Sequence, residues 1–109
     1  HPAFGITGGD GLQVVWEEVV GAARAKWLLW SGETIDARTA MQWGVVTEVL
    51  PHNALLARGY EIATMLAGKP ELYRRLQKQT LNQRMRRRIV EGVPYGMALE
   101  GLTAARLGR

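Results

Sequence analysis

Apolar positions along this chain recur mostly at three- and four-residue intervals, with glycine or proline between the runs. Leu12, Val15, Trp16 and Val19 predict one face of a helix closed by Gly21, and Asp10 stands where its N-cap belongs. A second helix is expected from Ala22 to about Trp30, ended by Ser31-Gly32. Asp36 reads as the cap of a short helix that stops at Gly44. The β-branched, alternating stretch Val45 to Leu50, bounded by Gly44 and Pro51, predicts a strand. Asn53 reads as the cap of a helix that runs through Leu66 and ends at Gly68, and Pro70 opens a long basic helix to about Val90. Gly92 and Pro94 are expected to break that helix. The last one, Tyr95 to about Leu107, carries Ala98, Leu99, Leu102 and Ala105 as its apolar stripe. One strand among six helices cannot satisfy its own backbone groups, so it calls for a pairing partner from outside this stretch.

Composition narrows the class. With 109 residues, 47% hydrophobic and 22% charged, the chain has the balance of one ordinary soluble domain. It has no cysteine, which excludes disulfides, a thiolate nucleophile and a thiolate metal site. The two histidines, His1 and His52, are far apart in sequence and give no metal-ligand spacing. No apolar run approaches the roughly 18–20 residues that cross a bilayer. The opening HPAFGITGGDG lacks the basic-then-apolar order of a signal peptide, so the expected address is cytoplasmic, with no membrane partner.

The net charge of +4 is unevenly spread: Arg74, Arg75, Lys78, Arg84, Arg86, Arg87 and Arg88 crowd one stretch. Such a run suits a solvated helix face, or the phosphates of a nucleotide-like molecule. No aromatic residues are interleaved with these arginines, which argues against a base-stacking platform and a nucleic-acid partner.

The order of the pieces carries a family signal. The glycine turn GITGGDGLQ is followed by a helix, then by Ala25-Lys26-Trp27-Leu28-Leu29-Trp30-Ser31-Gly32. Ile35-Asp36-Ala37, Ala40, Trp43-Gly44-Val45-Val46 and Glu48-Val49-Leu50-Pro51 come after it. This succession resembles the C-terminal half of the crotonase (enoyl-CoA hydratase/isomerase) superfamily, most densely over residues 5–51. Where common hydratases carry Pro-Glu ahead of the glycine turn, this chain reads His1-Pro2-Ala3-Phe4. Asp10 fills a position usually given to glycine or alanine, and GGDGLQVVW is similar to the 6-oxocamphor hydrolase type of β-diketone hydrolase, without that turn's usual proline.

The resemblance implies an α/β crotonase (ClpP/crotonase-like) fold, of which residues 1–109 form the helix-rich C-terminal part of one domain, with one short strand. The β-rich N-terminal half lies outside the chain. It implies catalytic roles for His1 and Asp10, with Glu100 of the last helix as a third member, and Trp16 is the aromatic that suits a substrate wall. The implied reaction is retro-Claisen cleavage of a carbon–carbon bond in a cyclic β-diketone, by water that a His–Asp pair activates, without a cofactor. A homo-oligomer, a trimer or a pair of trimers, is implied as well. Two alternatives stay open. One is a CoA-thioester enzyme of the same fold, a hydratase, isomerase or dehalogenase, with Asp10 as nucleophile and the basic helix on the phosphates. The other is a non-catalytic portion that acts only in assembly. Each residue also has a plainer role: Asp10 as a helix cap, Glu100 as a solvent-facing glutamate, His1 as a terminal residue, and Trp16, Trp27, Trp30 and Trp43 as core or subunit contacts.

Overall fold

The computed structural model describes residues 1–107. Five α-helices follow one another: α1 Leu12–Val20, α2 Ala22–Ser31, α3 Ala37–Gln42, α4 Leu55–Ala67 and α5 Glu71–Leu107. Short 3-10 turns at Pro2–Phe4 and His52–Ala54 precede α1 and α4. A single residue joins α1 to α2. Gly21 holds φ 80°, which side chains disfavour, and its N–H donates to the Glu17 carbonyl as α1 ends. The two helices pack side by side, α1 also lies on α5, and α2 covers the first 3-10 turn. The interior is small: Val14, Ala25, Leu28 and Ala40 are its buried apolar side chains among the described residues.

Several boundaries differ from expectation, each for a physical reason. Gly11, not Asp10, occupies the N-cap of α1, and no side chain caps that helix. Asp36 does cap α3, accepting the Thr39 N–H at 2.7 Å, and the carboxyl is held below the usual aspartate range by that bond. Asn53 caps nothing: it sits inside the second 3-10 turn, and Ala54 is the N-cap of α4. Residues 45–50 form no strand, and no strand occurs among the described residues. With no neighbouring strand to pair with, Val45 and Val46 instead turn their N–H groups back to the Ala40 carbonyl. Arg58 of α4 grips Glu48 with two nitrogens, at 2.9 and 2.7 Å, and so fixes this loop.

The break expected at Gly92 and Pro94 is also absent. α5 runs straight through them for 37 residues, about 55 Å at 1.5 Å per residue. Pro94 lies on the exposed side, while Gly92 and Gly96 form a flat face on which α1 and the glycine turn rest. The inward face is therefore Gly92, Gly96, Leu99, Glu100 and Thr103. Of the expected stripe Ala98, Leu99, Leu102 and Ala105, Leu99 faces inward and the other three are exposed, Leu102 by 65%. On α1, Val14 is the buried residue, whereas Val15 and Val19 face outward.

The chain measures 54 × 32 × 26 Å with a radius of gyration of 17.4 Å. A compact chain of this length has a radius of about 13 Å. The excess comes from α4 and the first half of α5, which leave Leu55, Leu56, Leu66, Leu72 and Leu76 uncovered. No helix among the described residues is long and apolar enough to cross a membrane.

Candidate active site

The glycine turn is laid onto α5 by a row of hydrogen bonds. Thr7 N–H donates to Thr103 Oγ1 at 3.1 Å, and Gly9 N–H donates to Glu100 Oε2 at 2.9 Å. Gln13, on the first turn of α1, completes the attachment. Its Nε2 donates to the carbonyls of Gly9 and Gly92 at 3.1 and 3.3 Å, and its Oε1 accepts the Gly11 N–H at 3.2 Å. Gly9 and Gly96 meet backbone to backbone, so closely that a side chain on either would collide with the other. Turn and helix are thereby locked in one register, which aims Glu100 at the turn.

His1 is placed by its own carbonyl, which accepts the N–H groups of Phe4 and Ile6 at 3.0 and 3.2 Å. Its Nε2 lies 3.4 Å from Glu100 Oε1. The Glu100 side chain is mostly buried, while Asp10 at the tip of the turn is exposed. One imidazole nitrogen and one oxygen from each of Asp10 and Glu100 all lie within 4.8 Å of one another. Residues at the two ends of the sequence are thus gathered at one point. An imidazole beside two carboxylates can be held in one tautomer, can take a proton from water, and has its charged form stabilised.

Trp16 stands elsewhere. It lines a recess of about 330 Å³ with Leu12, Leu28, Leu29, Ile35 and Pro2, and only Pro2, next to His1, connects that recess to the cluster. A larger open groove of about 500 Å³, between Gln13, Tyr95 and Leu99, contains none of the three. His52 is exposed in its 3-10 turn.

Part of the basic run has structural work. Arg84 Nε sits 2.7 Å from Glu18, Arg88 Nε lies 3.3 Å from the same carboxylate, and Arg88 also bonds Glu17. These pairs tie α5 to α1. Arg74, Arg75, Lys78, Arg86 and Arg87 remain on the exposed surface. Gln13 is the site residue that sequence reasoning missed. The available signal was an amide in the first turn of a helix that is otherwise apolar up to Trp16, just after a turn with four glycines.

Comparison with known proteins shows the family. Residues 1–100 match the family described as Enoyl-CoA hydratase/isomerase. The chain belongs to the enoyl-CoA hydratase/isomerase family. Among solved structures it is similar over its whole length to a β-diketone hydrolase from the cyanobacterium Anabaena sp. PCC 7120, bound to (S)-3-oxocyclohexyl acetic acid. The TM-score is 0.95 and the identity 40%, and the match covers 44% of that protein. Curated relatives include a mitochondrial Delta(3,5)-Delta(2,4)-dienoyl-CoA isomerase of Dictyostelium discoideum, 36% identical over 76% of this chain and 28% of that protein. A crotonyl-CoA hydratase of Syntrophomonas wolfei is 32% identical over 93% of this chain and 43% of its own length. The chain therefore spans less than half the length of these relatives. The proteins it is similar to include a β-diketone hydrolase as well as enzymes named for CoA thioesters.

Proposed function

We propose that this crotonase-family chain carries the water-activating residues of a hydrolase that cleaves a cyclic β-diketone. The observation that supports the reading most is the meeting of His1, Asp10 and Glu100 within 4.8 Å, in a chain 40% identical to a β-diketone hydrolase. The imidazole of His1 takes a proton from water, with Asp10 and Glu100 orienting it and stabilising its charged form. The oxygen of that water adds to one ketone carbon. The tetrahedral alkoxide, held by backbone N–H donors, collapses and breaks the bond to the carbon between the two carbonyls. That carbon leaves as an enolate stabilised by the second carbonyl and receives the proton back from the imidazolium. Water has added across one carbon–carbon bond, and the product is a keto acid. We propose that the chain works as part of a homo-oligomer, a trimer or a pair of trimers, because the leucines of α4 and early α5 lie uncovered.

A second reading, turnover of a CoA thioester, is favoured by the names of the curated relatives and by the exposed Arg86 and Arg87. One experiment separates the two. The protein, with whatever sequence precedes His1 in place, is incubated with a bicyclic β-diketone and, separately, with crotonyl-CoA. Keto acid formation is expected, with kcat reduced by roughly two orders of magnitude or more in Asp10→Asn and in Glu100→Gln. Turnover of the thioester alone would transfer the protein to the CoA branch.

A further inference from the structure

The side chains that gather at the glycine turn are also a set of metal ligands that their spacing in sequence hides. We infer that His1, Asp10 and Glu100 bind a divalent first-row transition metal ion such as zinc, and that the bound ion switches off the base. The second half of this inference rests on the hydrolase reading above; the first half does not.

The geometry fits with little adjustment. Zinc bonds nitrogen and carboxylate oxygen at about 2.0–2.2 Å, so two ligands on a tetrahedral ion stand about 3.3–3.5 Å apart. His1 Nε2 and Glu100 Oε1 are already 3.4 Å apart. The farthest separation within the trio is at most 4.8 Å, and Asp10 is the residue free to close it, since it is exposed and caps no helix. Glu100 is oriented as ligating carboxylates usually are: its Oε2 is held by the Gly9 N–H at 2.9 Å, which leaves Oε1 turned to the ion. Two carboxylates supply two negative charges against a dication. The imidazole selects zinc, cobalt, nickel or copper over magnesium or calcium, which prefer all-oxygen shells.

Ion binding and base catalysis compete for the same three side chains. An imidazole held on a metal is no longer paired to the carboxylates that orient it, and carboxylates on a metal no longer stabilise an imidazolium.

The test is calorimetric titration of zinc chloride into chelator-stripped protein, with any sequence preceding His1 in place, followed by the diketone assay with and without zinc. One ion per chain is expected. Affinity should fall at least about tenfold in His1→Ala, Asp10→Asn and Glu100→Gln. His52→Ala should leave it unchanged, and magnesium should give no heat. Asp10→Asn alters an exposed side chain, so its loss of zinc affinity is readable even if Glu100→Gln fails to fold. Absence of stoichiometric binding, retention of affinity in Asp10→Asn, or its loss in His52→Ala would each overturn the site. In the assay, zinc should stop keto acid formation and chelator should restore it; a rate that zinc leaves alone or raises overturns the switch. A stripped protein that never forms keto acid sinks the hydrolase reading, while calorimetry still decides the ion site.

Discussion

A methyl group added at Gly9 would fall inside the contact radius of the Gly96 carbonyl, and one added at Gly96 would meet the Gly9 backbone. At Gly9 every near neighbour is main chain, which has no rotamer to yield, while at Gly96 the Gln13 side chain is met as well. Gly9→Ala is therefore expected to cost about 1–3 kcal/mol through overpacking, and to displace the turn that carries Asp10 and contacts Glu100. Urea unfolding of wild type and variant, with the diketone assay beside it, reads both effects; an unchanged midpoint would mean the two backbones are not in contact. Asp36 provides a pH-dependent case. Its folded carboxyl is held below the ordinary aspartate value by the Thr39 hydrogen bonds. A lowered folded pKa contributes stability that is full above the unfolded value and is lost as pH falls through the folded one. Asp36→Ala should accordingly lower the melting temperature at pH 7, and the difference should shrink below about pH 4. A difference independent of pH would assign the effect to something other than the charged cap.

At the scale of elements, α5 determines where everything else sits. Its glycines accept α1 and the turn, its Glu100 and Thr103 bond the turn, and Arg84 and Arg88 hold α1 through Glu17 and Glu18. Pro94 interrupts the backbone ladder of this helix on the solvent side. Its missing N–H leaves the Val90 carbonyl without the usual helical donor. A proline inside a helix costs about 3 kcal/mol relative to alanine, and the helix persists because the Gly92–Gly96 face is packed. Pro94→Ala should thus raise stability, by up to about 3 kcal/mol in chemical denaturation. A loss of stability would show that proline shapes the helix the site requires.

The molecule as a whole is not self-sufficient in apolar contacts. α4 packs on the 3-10 turn that precedes it and on the loop that carries Glu48, and the leucines of α4 and early α5 face outward. A stretch of that size left in water is the mark of a surface meant to be covered. The proposed oligomer is tested by sedimentation equilibrium. Leu76→Asp, on the exposed face of α5, is expected to reduce the assembled mass without changing helical content. A wild type that sediments as a monomer would remove the assembly proposal.

Sequence by itself determined what is local. The extents of α1 and α2 follow apolar spacing, the Asp36 cap follows from a short acceptor ahead of a helix, and the glycine-rich turn follows from residues with no side chain to obstruct it. The order of these pieces also disclosed the family, because order and spacing are properties of the chain. Three matters were left to tertiary structure. Val45–Leu50 has strand composition but no neighbouring strand, and pairing depends on a partner rather than on the residues themselves. Gly92 and Pro94 have the chemistry of a helix break, yet packing against Gly9, Gln13 and Val14 outweighs local propensity. The site itself is the third. Resemblance could nominate His1, Asp10 and Glu100, but their meeting depends on one glycine turn lying on a helix some ninety residues away. Long-range contact of that kind is set by packing, and no local pattern encodes it.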